Sequence, residues 1–66
     1  MNITVNGSNK VFQGISSVTD LLKTLQLPSE TVVVELNTII IQPDSYNSAK
    51  LVEGDQVEII RFVGGG

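Results

Sequence analysis

The sequence of 66 residues contains no cysteine, no histidine and no tryptophan. Without cysteine there is no disulfide to staple a small fold and no thiolate to hold a metal, a composition that suits a reducing compartment. Without histidine the chain lacks the side chain that titrates near neutrality, and with it the commonest general base. Aromatic residues come down to two Phe and one Tyr, and the prolines are Pro28 and Pro43. No stretch approaches the ~20 apolar residues of a membrane-spanning helix, and the first residues lack the charged-then-apolar pattern of a secretion signal. Positive charge is sparse as well. Lys10, Lys23, Lys50 and Arg61 stand singly against seven acids, for a net charge of −3. That distribution argues against nucleic acid or an anionic membrane as partner and suits a protein with a basic docking site.

What the sequence does have is a run of glycine at its end, Phe62-Val63-Gly64-Gly65-Gly66. Glycine visits nearly all backbone conformations, so such a run is a thin thread. Ordering each residue costs roughly 1–2 kcal/mol, so the thread adds nothing to the stability of a small domain. Its use is to carry a free carboxylate into a narrow site where any Cβ would clash. With the usual nucleophiles missing, the reactive group expected of this chain is its own carboxyl end, Gly66. Residues 1–63 are then one domain with one small core, and 64–66 a flexible glycine tail. A chain of this size buries about 60% of its unfolded surface, so its stability should be modest.

The domain reads as strands around one helix. Met1 to Asn6 alternates apolar and polar residues as a half-buried strand does. Asn6-Gly7 is the strongest short hairpin signal, because both residues accept the positive φ of a type I′ turn. A second strand is expected near Lys10 to Gln13, where the adjacent Val11 and Phe12 would need a bulge for both to be buried. Ser17-Val18-Thr19-Asp20 has the form of a capping box. Val18, Leu21, Leu22 and Leu25 then form one helical stripe, which Pro28 is expected to end. Val32 to Leu36 is a β-branched strand with Val34 and Leu36 inward and Val33 and Glu35 outward. Asn37-Thr38 interrupts it, and Ile39 to Ile41 resumes. Residues 42–51 read as irregular, with Tyr46 plugging the edge of the core, and Glu53-Gly54-Asp55 turns into a last strand from Gln56 to Val63.

Parity along that last strand carries the functional expectation. With Glu58 solvated, Val57 and Ile59 enter the core, while Ile60 and Phe62 share the outer face of Glu58. A pair of large exposed apolar side chains leading into the glycines is a docking patch.

The order of elements, a helix packed on one face of a mixed sheet of four to five strands, resembles the ubiquitin-like β-grasp of the α+β class. Local stretches resemble the ThiS family, the sulfur carriers of thiamine biosynthesis. They are Asn6-Gly7, Val18-Thr19-Asp20-Leu21-Leu22, Val34-Glu35-Leu36-Asn37, Gly54-Asp55-Gln56-Val57-Glu58-Ile59 and the terminal Phe62 to Gly66. The likeness departs at Gln42 to Tyr46, which keeps an aromatic residue but lacks the basic one that members often carry. The resemblance implies a cytoplasmic protein co-substrate, monomeric when free, that is not an enzyme and binds no cofactor of its own. An E1-like adenylating enzyme of the ThiF type, using ATP and magnesium, would activate Gly66. A sulfur donor enzyme would convert it to a thiocarboxylate, and a thiazole synthase of the ThiG type would take the sulfur. Gly64 and Gly65 would thread into the partners' active sites, and Ile60, Phe62 and Val63 would bind their surfaces. Two other readings are open: a carrier like the small subunit of molybdopterin synthase, and a ubiquitin-like binding or conjugation module.

Overall fold

Asn6 at φ 49° and Gly7 at φ 82° turn the chain back between its first two strands, β1 (Asn2–Val5) and β2 (Ser8–Val11). The structure, a computed structural model, describes residues 1–62; Val63, Gly64, Gly65 and Gly66 lie outside the described residues, and so do the expectations placed on them. Val5 pairs with Ser8 across the turn, so β2 begins two residues earlier than expected and ends at Val11. That register settles Val11 and Phe12 without a bulge. Val11 opposes Asn2 on the outer face and is exposed, whereas Phe12 leaves the strand and is buried. Phe12 is held there because its N–H donates to the Met1 carbonyl at 2.8 Å and its carbonyl accepts from the Met1 amino group at 2.9 Å.

Helix α1 (Val18–Thr24) starts at the capping box. The Ser17 hydroxyl accepts from the Asp20 N–H, and the Asp20 carboxylate accepts from the Ser17 N–H, both at 3.2 Å. The same carboxylate also takes the N–H and hydroxyl of Ser16, at 2.8 and 3.0 Å. The Ser16 N–H bond is the main reason the Asp20 pKa lies below its ordinary value. The end of the helix corrects the expectation for Pro28. It stops at Thr24, because Gln26 takes φ 60° and closes a Schellman motif. The N–H of Leu27 reaches the Leu22 carbonyl at 2.9 Å, and that of Gln26 reaches Lys23 at 3.1 Å. Pro28 instead leads a 3₁₀ turn over Ser29–Thr31.

Three strands complete the sheet: β3 (Val32–Leu36), β4 (Ile39–Ile41) and β5 (Gln56–Arg61). The order is β2-β1-β5-β3-β4, antiparallel throughout except where β5 lies parallel to β1 in the centre. This is the mixed five-stranded sheet with one helix expected from the element order. Val18, Leu21 and Leu22 of α1 pack with Ile3, Val5, Val34, Val57 and Ile59 from one face of the sheet. Tyr46 is buried at the edge of this core, as expected, in a segment that holds a 3₁₀ turn over Pro43–Ser45. Leu36, expected inward, is half-buried and packs against the margin of this core.

Candidate functional site

Strand β5 is flanked on both sides, so its alternation has to satisfy a core on one face and water on the other. Val57 and Ile59 are buried, while Glu58, Ile60 and Phe62 are exposed, as the parity requires. Ile60 keeps 52% and Phe62 56% of its accessible surface, so neither side chain works for the core.

The ladder with β3 shows what surrounds them. Val33 opposes Ile60 and Glu35 opposes Glu58, and on the far side of β3 Glu35 also opposes Ile40. Residues directly opposite in a ladder share a face. The outer face therefore carries an apolar group of Val33, Ile40, Ile60 and Phe62 around two glutamates. Ile60 and Phe62 are legible from strand parity. Ile40 is not, because its place on this face depends on the two-residue turn at Asn37-Thr38, which brings Ile40 opposite Glu35. An alternating pattern in three isoleucines carries no signal of its own.

Hydrogen bonds hold β5 at both of its ends. At its start the Asp55 carboxylate, largely buried, accepts from the Val52 N–H at 2.8 Å and from the Asn37 side-chain amide at 3.0 Å. The Asn37 side-chain oxygen accepts from the Gln56 N–H at 3.0 Å, which ties the β3–β4 turn to the turn before β5. At its far end the Phe62 N–H donates to the Thr31 carbonyl at 2.8 Å. Phe62 is thus the last described residue before the glycines, and it is still anchored to the neighbouring segment. Elsewhere the Glu53 carboxylate accepts the N–H and side-chain amide of Asn2, at 2.9 and 2.7 Å, and the backbone bond is the main cause of its lowered pKa.

The described residues offer little else that could perform chemistry. They hold no group of three or more acids that could bind a metal ion. A groove of ~300 Å³ lies between α1 and the 3₁₀ turns, lined by Leu22, Lys23, Leu27, Pro43 and Tyr46 among others. It is on the helix side, away from the outer face of β5. No described helix is long and apolar enough to cross a membrane.

A five-stranded mixed sheet grasping one helix, with its central strand leading to the chain end, defines a ubiquitin-like β-grasp protein. Comparison with known proteins gives the family. The model of the ThiS family matches residues 3–66. The sulfur carrier protein ThiS of Bacillus subtilis is 37% identical over 65 residues, covering 97% of this chain and 98% of that protein. The thiazole synthase of Paramagnetospirillum magneticum is 36% identical over 66 residues, where this chain spans 20% of its length. Among solved structures, the crystal structure of a thiamine biosynthesis protein (ThiS) from Geobacter metallireducens superposes with a TM-score of 0.84, at 39% identity and 100% coverage of both chains. The chain belongs to the ThiS family.

Proposed function

We propose that this protein is a sulfur carrier of thiamine biosynthesis whose cargo is held as a thiocarboxylate on Gly66. It is a carrier and not a catalyst, as befits a ThiS-family chain. The observation that carries the finer reading is the course of β5. A strand anchored on both sides runs through an exposed apolar pair, Ile60 and Phe62, directly into Val63 and three glycines. The domain, residues 1–63, presents the tail, 64–66, and the tail does the chemistry.

A carboxylate does not accept sulfur directly, because the leaving group would be oxide. Activation begins when a Gly66 carboxylate oxygen attacks the α-phosphorus of ATP and pyrophosphate leaves. The partner for this step is an E1-like adenylating enzyme of the ThiF type, which supplies the ATP and magnesium site. A sulfur donor enzyme then delivers sulfide-level sulfur to the acyl carbon. A C–S bond forms, AMP departs and Gly66 becomes a thiocarboxylate. The thioacid is more acidic and more nucleophilic than the acid, so it can hand its sulfur to a forming thiazole ring. A chain named thiazole synthase that includes a stretch like this one supports such an enzyme, of the ThiG type, as the acceptor. On this reading the protein works in the cytoplasm and is a monomer when free.

In docking, Gly64 and Gly65 thread the partner's channel while Ile60, Phe62 and Val63 meet its surface, with Val33 and Ile40 widening the patch. The test is exchange of pyrophosphate into ATP, driven by the carrier and an E1-like adenylating enzyme. The intact chain should support it. Removal of Gly65 and Gly66 should abolish it, and Gly65→Val should block it through added bulk and a stiffer backbone, all without lowering the melting midpoint. Exchange at the intact rate with either variant would contradict the proposal.

A further inference from the structure

The turn at Asn6-Gly7 needs only two residues that accept positive φ, a requirement that glycine or aspartate would meet equally well at position 6. Asn6 does something more. The parallel ladder of β1 with β5 covers Thr4 opposite Gln56 and Val5 opposite Val57. The Asn6 N–H adds one bond to the Val57 carbonyl at 2.9 Å. There the chain turns away, while β5 continues to Arg61. The backbone groups of Ile59 face the side that β1 has just left. The Asn6 side chain takes them both: its oxygen accepts from the Ile59 N–H at 2.7 Å, and its NH₂ donates to the Ile59 carbonyl at 3.2 Å. A side-chain amide carries the same donor and acceptor as a peptide group, so Asn6 supplies one further rung to β5 with no backbone behind it.

We propose that Asn6 is a positioning residue for the carrier reaction: its amide fixes Ile59 and thereby sets the path along which β5 delivers Ile60, Phe62 and the residues beyond to the activating enzyme. The inference rests on the carrier reading given above. On its other side β5 is fixed as far as Phe62 by the Thr31 carbonyl. Asn6 therefore supplies the last described hold on the β1 side, three residues before Phe62. Ordering the strand before it docks removes part of the conformational loss that binding would otherwise carry. An interaction that helps substrate and transition state alike shows in KM and leaves kcat unchanged. Asn6 touches no reacting atom.

The test compares the wild type with Asn6→Gly, which keeps the turn and removes the amide, and with Asn6→Asp, which keeps the turn and the acceptor for the Ile59 N–H but loses the donor. Three quantities are read for each: amide hydrogen exchange at Ile59 and in the core, the melting midpoint, and KM and kcat for the carrier in pyrophosphate exchange with an E1-like adenylating enzyme. For Asn6→Gly, exchange should quicken at Ile59 while Val34 and Val57 stay protected. KM should rise about fivefold or more, the scale of one net hydrogen bond, with kcat unchanged. Asn6→Asp should fall between the two. A wild-type KM in Asn6→Gly overturns the inference while leaving the carrier reading intact. Loss of core protection in both variants also overturns it, since Asn6 would then be holding the fold and not the strand end. If the wild type itself supports no exchange, the carrier reading fails, and the positioning role falls with it even where Ile59 is freed.

Discussion

Glu35 of β3 and Glu58 of β5 are direct partners in the ladder, so two carboxylates stand opposite each other in the middle of the outer face. Like charges in that relation are destabilising, by roughly 0.2–1 kcal/mol against a neutral pair. The fold has no need of them, and a basic side chain on a docking partner would find both. Glu58→Gln is therefore predicted to raise the free energy of unfolding by about 0.2–1 kcal/mol and to weaken binding of the adenylating enzyme or thiazole synthase. Chemical denaturation and a binding isotherm measure the two. A variant that is less stable than the wild type would show that Glu58 makes a favourable contact in the free protein.

The exposed pair on β5 gives a second prediction. Phe62→Ala should reduce stability far less than the ~3–5 kcal/mol typical of truncating a buried Phe, yet weaken partner binding by about 1 kcal/mol or more. Ile59→Ala should do the reverse, opening a cavity beside Val34 and Val57 at a cost of ~2–5 kcal/mol. Denaturation of both variants beside their partner affinities decides it. Phe62→Ala as the more destabilising change would mean that the outer face is not a docking surface.

That parity was readable because a single charged residue, Glu58, sits between two apolar ones in a short strand. The helix start was readable for a similar reason, since Ser17 and Asp20 have the spacing of a reciprocal cap. The helix end was not. A Schellman motif normally advertises itself with glycine, and here Gln26 adopts the left-handed conformation, so the sequence points to Pro28 as the terminator instead. The start of β2 is not legible either, because nothing in Ser8-Asn9 marks a strand and the Asn6-Gly7 turn alone sets that register. The Asn6 amide on Ile59 and the Asn37–Asp55 link join residues 53 and 18 positions apart, and no local pattern encodes such pairs.

Thr38 holds φ 73°, which is unfavourable for a β-branched residue. Its neighbour Asn37 supplies the hydrogen bonds of this turn, and Asn-Gly is the preferred type I′ pair. Thr38→Gly removes a strain of roughly 1–2 kcal/mol, offset in part by the greater freedom of glycine in the unfolded chain, worth ~0.5–1 kcal/mol. A net gain of up to about 1.5 kcal/mol should appear as a higher melting midpoint. A lower one would reveal a stabilising contact of the Thr38 side chain.

Asp20 gives the acid side of the stability profile a definite sign. Its pKa is lowered in the folded protein by the hydrogen bonds from Ser16 and Ser17. The stability it contributes is therefore present above its ordinary value of 3.8 and is lost as pH falls through the lower folded value. The wild type should be more stable than Asp20→Asn near neutrality, and the two should converge in strong acid. A stability difference that stays constant across the titration would contradict the link between the carboxylate's charge and the helix cap.

Sulfur on Gly66 is read from the intact mass of the chain. The purified chain is incubated with ATP, magnesium, an E1-like adenylating enzyme and a sulfur donor, then weighed beside an ATP-free control. The expected result is a mass increase equal to the replacement of one oxygen by one sulfur, located on the fragment that ends at Gly66. An unchanged mass, or an amide linkage to a lysine, would contradict it.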